Sequence, residues 1–288
     1  MADNTRISWC DSTWNPYRGC DPVSPGCKNC YAARMCARGL TNLKSPTTGE
    51  DFAIMRNGHP SWTGKVELIE EALTIPLRWR KPRRIFVNSM SDTFHKSVPD
   101  EWIDRVFAVM ALVDHHAYIV CTKRAKRMRA YFSPARPAAV DEAMLWAIAQ
   151  SNSCCGRPCF VQRDGVHGWP LPNVILLASV EDQPRADERI SELMATPAAV
   201  IGISLEPMLG PVVLRPEWLK RLGWVIVGHE SGPGARPCEE DWVRSVRNQC
   251  MAAGVAFFYK QKLEDGRKVE IPFLDGRQWV GYPEVSRG

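Results

Sequence analysis

Short apolar segments alternate with amphipathic segments of helical spacing along most of the chain. The apolar runs are five to eight residues long and are bounded by polar or turn-forming residues, as is typical of strands buried on both faces. They lie at residues 84–89, 117–122, 173–180, 199–205, 223–228 and 255–259. Apolar side chains at helical spacing predict helices at residues 31–40, 66–73, 97–113, 124–132, 139–150, 184–195, 216–222 and 239–253.

This alternation predicts an α/β fold. Strands separated by helices form parallel sheets that helices cover, and a weak strand before Cys20 brings the strand count to seven. An open doubly wound sheet and a closed or nearly closed barrel both fit the pattern. In either fold the functional residues are expected at the carboxyl ends of the strands.

Polar side chains follow all six clear strands at that end. The segments that carry them are 88–92, 121–124, 179–182, 204–207, 228–232 and 259–261. Any one Glu or Lys there could equally be a helix cap or a solvated loop residue. Their recurrence at six strands favours a functional site, with Lys123, Arg124, Lys260 and Gln261 as candidate substrate contacts.

The composition is that of an ordinary globular protein. The chain has 288 residues, of which 45% are hydrophobic and 24% charged, and we expect one domain over residues 1–288. An apolar run of membrane-spanning length and the apolar core of a signal peptide are both missing, which favours a cytoplasmic protein. Eleven cysteines in such a chain are expected to be reduced thiols.

Two short windows concentrate positive charge. The formal net charge is only +5, but each window holds five cations in seven residues without an acid. They are Arg78, Arg80, Lys81, Arg83 and Arg84, and Lys123, Arg124, Lys126, Arg127 and Arg129. Such windows could neutralise nucleic-acid phosphates, or they could be solvated helix ends and loops.

Two regions depart from the alternation. Residues 151–170 predict an irregular surface insertion, in which Cys154, Cys155, Cys159 and His167 could also contribute to a second metal site. A C-terminal tail from about residue 264 contains two Asp-Gly pairs, at 265–266 and 275–276, which predict hairpin turns.

The main chemical signal is a group of three cysteines between a Pro/Gly-rich loop and the start of a helix. Cys20, Cys27 and Cys30 have the spacing C-x6-C-x2-C. Three interpretations remain open on spacing alone. The thiols could hold a [4Fe–4S] cluster with one iron free, they could bind structural zinc with Cys36 or Cys10 as the fourth ligand, or they could be ordinary buried thiols.

The motifs of the chain, taken together, resemble a known family. TWNPYRGC, GCKNCYA, RWRKPRRIFVNSMSD, TKR, WPLPNV, SVEDQ, SLEPMLGPV, WVIVGHESGPGARP and FFYKQ look like those of a phage-associated, radical-SAM-like family of the radical S-adenosylmethionine superfamily. The resemblance covers nearly the whole chain. It implies a parallel βα barrel, full or partial and TIM-like, of the radical SAM type.

The same resemblance implies the cofactors and their ligands. Cys20, Cys27 and Cys30 would bind three irons of a [4Fe–4S] cluster, and S-adenosylmethionine would bind the fourth and yield a 5′-deoxyadenosyl radical. The residues implied to contact S-adenosylmethionine or substrate are Tyr31, Ser89, Ser91, Asp92, Glu181, Glu206 and Glu230. Two features differ from the common pattern: the first cysteine gap is six residues instead of three, and the usual GGESG contains His229.

The substrate is expected to be a nucleic-acid base or nucleotide, which the enzyme would modify or repair. A faint similarity to spore photoproduct lyase, the phage association and the two basic windows favour it. Cys121 is the candidate hydrogen donor, with Tyr118 as accessory, and a reductase or flavodoxin-type protein would supply electrons. The alternatives are a radical enzyme acting on a peptide or small metabolite, and a zinc-stabilised nucleic-acid-binding protein without catalysis.

Overall fold

One large sheet organises the structure. The computed structural model describes residues 5–39, 44–155 and 168–285. The strands of the sheet are, in chain order, Ser12–Trp14 (β1), Arg84–Val87 (β2), Ala117–Thr122 (β3), Val174–Ser179 (β4), Val200–Leu205 (β5), Trp224–Gly228 (β6), Ala256–Glu264 (β7) and Arg267–Glu270 (β8). Strands β2 to β7 correspond to the six predicted apolar runs, and β1 is the weak strand expected before Cys20.

The order of strands in the sheet follows the order of the chain. Strands β1 to β7 are parallel to their neighbours, while β8 is antiparallel to β7. Since parallel neighbours need a crossover, the helices lie between successive strands. All carboxyl ends of β1 to β7 therefore meet at one edge, which we call the carboxyl edge.

The prediction of a full or partial TIM-like barrel of the radical SAM type is wrong. The sheet is mixed, mostly parallel and curled into a half-barrel that stays open. In the described part of the chain, β1 pairs only with β2, and β8 pairs only with β7. Closure requires the first and last strands to match in length and stagger, whereas β1 has three residues and the far edge ends in an antiparallel hairpin. Apolar runs predict parallel pairing but carry no information on closure.

The two faces of the sheet belong to different apolar clusters. In β3, Tyr118 and Val120 pack into the large core on the helix side, while Ile119 belongs to a smaller cluster on the opposite face, which we call the inner face. This inner cluster consists of Trp9, Cys10, Ile119, Ile175, Leu177, Trp224, Ile226 and Phe258. Residues before β1 therefore help to fill the inner face that a closed barrel would fill with strand side chains alone.

Eight helices occur in the described residues. They are Tyr31–Ala37 (α1), Glu70–Leu73 (α2), Asp100–Leu112 (α3), Ala125–Tyr131 (α4), Arg136–Cys155 (α5), Gln183–Met194 (α6), Pro216–Leu219 (α7) and Glu240–Ala253 (α8). Short 3-10 turns lie at Pro25–Cys27 and Pro76–Arg78. No described helix is long and apolar enough to cross a membrane.

Three local predictions differ from the structure. The helix expected at 66–73 begins at Glu70, because Glu67–Leu68 pairs with Tyr17–Arg18 as a two-stranded ribbon. The connection expected to be irregular at 41–64 contains the hairpin Ala53–Arg56 with His59–Trp62. Helix α5 is longer than predicted, and it includes residues 151–155 of the expected insertion.

The rest of that insertion, apart from its last three residues, cannot be compared with the structure. Residues 156–167, including Cys159 and His167, lie outside the described residues, as do the side chains of Cys154 and Cys155. The C-terminal predictions are confirmed: Asp265 and Gly266 join β7 to β8, and a second turn at 275–276 joins Phe273–Leu274 to Arg277–Gln278.

Gly202 tests the packing of the inner face. A Cβ atom on Gly202 would lie 2.4 Å from the carbonyl oxygen of Trp224 and 2.8 Å from Cδ2 of Leu177. We expect Gly202→Ala to lower the free energy of unfolding by about 2 kcal/mol, because overpacking of this kind strains the backbone. Denaturant unfolding followed by circular dichroism measures the change.

Gly210→Ala is the matched control for this substitution. The nearest atom to a Cβ on Gly210 would be Cβ of Asp182 at 3.9 Å, which is an ordinary contact. We expect a change of at most about 1 kcal/mol in either direction. Equal destabilisation by the two alanines would contradict this description of the inner face.

Candidate functional site

The three cysteines lie in a loop at the carboxyl edge. This cysteine loop, residues 20–30, includes the 3-10 turn Pro25–Cys27 and ends at Cys30, the N-cap of α1. Cys20, Cys27 and Cys30 are half-buried, and none forms a disulfide. The loop has no regular strand of its own, so its position depends on side-chain contacts with the strand ends.

Glu181, two residues after β4, lies directly under the loop. It is fully buried, and its Oε1 accepts a short hydrogen bond from the hydroxyl of Ser24. Its Oε2 lies 3.1 Å from Nη1 of Arg189, which neutralises it. A Cβ on Gly26 would lie 2.4 Å from Oε1 of Glu181, so only glycine lets the loop approach this closely.

Glu230, two residues after β6, holds the other side of the loop. Its Oε2 accepts hydrogen bonds from Nδ2 of Asn29 and from the backbone and side chain of Arg236, each at 2.9 Å. Asn29 lies between Cys27 and Cys30, so this carboxylate fixes the segment that carries both thiols. Burial acts to raise the pKa of Glu230, but the hydrogen bonds from Arg236 and Asn29 outweigh it and hold the pKa below its usual range.

Arg124, after β3, connects the start of the loop to the end of β2. Its Nη1 lies 3.0 Å from Asp92 Oδ2 and 3.7 Å from the sulfur of Cys20, and its Nη2 donates to the backbone oxygen of Asp21 at 3.0 Å. Nη2 also forms an ion pair with the Asp21 carboxylate. Burial, reinforced by Asp92, raises the pKa of the Cys20 thiol to about 12, and Arg124 opposes this shift.

His95 is a further contact of the loop that the sequence pattern did not reveal. Its ring is buried, with Nε2 3.0 Å from Oδ1 of Asp21. The backbone N–H of Ser97 donates to Nδ1, so the neutral ring carries its proton on Nε2, facing Asp21. Burial lowers the pKa of His95 and Arg124 lowers it further, against the effect of Asp21.

The residues implied to bind the methionine end of S-adenosylmethionine are hydrogen-bonded within the protein. Asp92 accepts from Thr122 Oγ1 at 2.7 Å, in addition to Arg124. Ser89 donates to Asn15 Oδ1 and Ser91 donates to the Tyr17 carbonyl.

The hydroxyl of Tyr31, directly after Cys30, donates to the carbonyl of Ser89 at 2.7 Å. This hydrogen bond attaches α1 to the end of β2.

A second set of polar side chains lies on the inner face, at the ends of β3, β4 and β5 and in the middle of β7. Nζ of Lys123 lies 2.5 Å from Oγ of Ser179. Ser204 donates to Glu206 Oε2 at 3.1 Å, and Glu206 Oε1 lies 2.9 Å from Nζ of Lys260. We call these five residues the inner polar row.

The candidate hydrogen donor and its accessory are not brought together. Cys121 packs against the inner cluster, whereas the buried Tyr118 lies in the core on the helix side of β3. Burial raises the pKa of the Cys121 thiol to about 12. Gln261, a candidate substrate contact, is buried, and its side chain donates to the carbonyl of His229. The ring of His229 in turn contacts the Tyr259 hydroxyl.

The two basic windows lie at opposite edges of the sheet. The first ends at Arg84, the first residue of β2, so it belongs to the amino edge, and Arg84 pairs with Asp11. The second follows β3 at the carboxyl edge, where Arg124, Arg127 and Arg129 all pair with carboxylates. The windows therefore do not form one continuous basic surface.

The donors of the cysteine loop fit an iron–sulfur cluster in their chemistry. Three unpaired thiols from one loop are the soft ligands that such clusters take. Across residues 5–39, 44–155 and 168–285, no three His, Cys, Asp or Glu side chains are gathered closely enough to hold a single metal ion. The fit consequently rests on the type of donor and on its placement at the carboxyl edge.

Comparison with known proteins identifies one family. A family model described as "Protein of unknown function (DUF5131)" matches residues 4–283. No curated protein and no solved structure matches the chain.

Glu230 gives the site a testable pH dependence. Since its folded-state pKa is lower than the unfolded value of about 4.3, the carboxylate stabilises the fold above that value, and the stabilisation is lost as the pH falls through the lower folded value. We expect the free energy of unfolding to fall more steeply between about pH 5 and about pH 3 in the wild type than in Glu230→Gln. Urea unfolding at a series of pH values measures both slopes.

Glu217→Gln, at an exposed position on α7, is the control for this substitution. It should keep the steep slope of the wild type. Identical slopes for Glu230→Gln and the wild type would show that the ion pair with Arg236 does not stabilise the fold.

Proposed function

The chain belongs to the DUF5131 family of proteins of unknown function, and we propose that it is a radical S-adenosylmethionine enzyme built around a [4Fe–4S] cluster. The observation that carries the proposal is the cysteine loop itself. Its three half-buried, unpaired thiols stand at the edge of a parallel sheet where enzymes of this architecture carry their active sites. Carboxylates from two strand ends fix the loop in that position.

Cys20, Cys27 and Cys30 would hold three of the four irons. When bound, the reduced cluster would supply the one electron that breaks a C–S bond of S-adenosylmethionine, giving methionine and a 5′-deoxyadenosyl radical that would abstract hydrogen from the substrate. The protein's own contribution is positioning. Glu181 and Glu230 keep the loop on the sheet, and Tyr31 holds the start of α1 against the end of β2.

Arg124 has a separate part in this proposal. Its guanidinium lies 3.7 Å from the Cys20 sulfur, where a fixed positive charge favours the thiolate that binds iron. Asp92 and Asp21 hold the guanidinium in place from two sides. Because its donors are used in this way, Arg124 acts as a positioning residue for the loop rather than as a contact for substrate phosphates.

The contacts with S-adenosylmethionine and substrate remain proposals. Ser89, Ser91 and Asp92 follow the end of β2, and the carbonyl of Ser89 accepts the hydroxyl of Tyr31, which supports a role of this segment near the methionine end. Glu206 and Lys260 face the inner side of the sheet, so they are better suited to substrate than Gln261, which is buried against His229.

A nucleic-acid base or nucleotide is the proposed substrate class. Of the two basic windows only the second is at the carboxyl edge, and within it Lys126 is exposed and pairs with no carboxylate among residues 5–39, 44–155 and 168–285. A reductase or flavodoxin-type electron donor and a cytoplasmic location belong to the same proposal, because the cluster requires a reducing compartment.

The proposal is tested by anaerobic reconstitution with iron and sulfide, followed by dithionite and S-adenosylmethionine. We expect 5′-deoxyadenosine, detected by chromatography, in the wild type and its loss in Cys27→Ala. Cys238→Ala, which removes a half-buried thiol outside the loop, should retain both iron and product. A higher rate of product formation with DNA or nucleotides than with peptides would identify the substrate class.

Failure has a distinct signature in the same experiment. Stoichiometric zinc, without iron uptake and without 5′-deoxyadenosine, would contradict the radical mechanism. It would favour a zinc-stabilised binding protein instead.

A further inference from the structure

The inner polar row, Lys123, Ser179, Ser204, Glu206 and Lys260, forms a continuous polar band across the inner face. Ser179 and Ser204 are register partners in β4 and β5, so their side chains are neighbours on the same face. Leu177 of the apolar inner cluster lies two residues before Ser179 on β4, and Trp224 of the same cluster is the β6 register partner of Gly202, two residues before Ser204. The band is thus the boundary between the apolar filling of the sheet and the carboxyl edge where the cysteine loop lies.

The charges near this band are balanced, with one exception. Arg124 is paired with Asp21 and Asp92, Arg189 with Glu181, and Lys260 with Glu206. The backbone N–H of Lys123 donates to Asp92 Oδ2 at 3.1 Å, but within the described ranges its ammonium has no carboxylate within 4.0 Å, and Nζ is hydrogen-bonded only to the hydroxyl of Ser179. A hydroxyl dipole does not neutralise an ammonium, so this half-buried cation leaves the band with a net positive charge.

The second lysine also has hydrogen-bonding capacity to spare. An ammonium has three N–H donors. Lys260 forms an ion pair with Glu206 Oε1, but that oxygen accepts no hydrogen bond of good geometry, so the donors of Lys260 remain available. Both ammonium groups act electrostatically on the thiol of Cys121, which lies two residues before Lys123 on the same strand face. Lys123 and Lys260 therefore act on a common region of the inner face.

We propose that the inner polar row is a binding subsite for an oxyanion, a carboxylate or phosphate group of the substrate. Lys123 and Lys260 supply the positive charge, and the hydroxyls of Ser179 and Ser204 supply further donors. The anion would be seated beside Cys121 and below the cysteine loop. As a substrate subsite this rests on the proposed function, but anion binding itself needs no cluster.

Anion binding is measured by calorimetric titration of the full chain, as purified and after reconstitution, with inorganic phosphate and separately with acetate. We expect saturable binding by the wild type and a dissociation constant at least tenfold higher in Lys123→Gln. Glu206→Gln should bind at least threefold more tightly, because it frees the charge of Lys260. The anion that binds more tightly identifies the group as phosphate or carboxylate.

Lys220→Gln is the control, since Lys220 is an exposed lysine at the C-cap of α7, outside the inner polar row, and the variant should bind as the wild type does. Equal affinity of Lys123→Gln and the wild type, or equal weakening in Lys123→Gln and Lys220→Gln, would overturn the subsite. If Lys123→Gln does not fold, the affinity of Glu206→Gln tests the proposal instead. Anion binding by Glu206→Gln that is equal to or weaker than that of the wild type would overturn the proposal. Because the titration does not depend on 5′-deoxyadenosine, its outcome is separate from that of the radical mechanism.

Discussion

The attachment of the cysteine loop to the carboxyl edge is the interaction on which the site depends. The loop contains no strand, and its only regular element is one 3-10 turn. Its position is set by Glu181 under Ser24, by Glu230 beside Asn29 and by Arg124 across Cys20 and Asp21. A buried carboxylate is tolerated only with a partner, so Arg189 and Arg236 are as necessary to this attachment as the carboxylates themselves.

The parallel sheet explains why these groups can converge. Carboxyl ends of neighbouring parallel strands meet at one edge, so side chains that are distant in sequence become neighbours there. Glu181 and Glu230 meet the cysteine loop, while Glu206, at the end of the strand between theirs, faces Lys260 on the inner side. The carboxyl edge therefore holds the cysteine loop and places charged side chains beneath it, and neither feature requires the sheet to close into a barrel.

Much of this architecture could be predicted from the chain, because the signals concerned are local. Apolar runs located six strands, and Asp-Gly pairs located two turns. Closure of the sheet could not be predicted, since it depends on how distant strand ends match. The ion pairs could not be predicted either. Arg124 lies in a basic window that suggests phosphate contacts, but in the structure it pairs with Asp21 and Asp92, which are distant in sequence. His95 lies in no motif, and Asn29 lies in GCKNCYA without any sign of its partner, so only the folded loop reveals their contacts.

The proposed function requires that the loop hold its three thiols for a cluster with one iron left open. Electron paramagnetic resonance of the anaerobically reconstituted, reduced protein tests it most directly, with and without S-adenosylmethionine. We expect the signal of a reduced [4Fe–4S] cluster that changes when S-adenosylmethionine is added, because that molecule would bind the open iron. A cluster signal that S-adenosylmethionine leaves unchanged, or a protein that takes up zinc and gives no cluster signal, would contradict it.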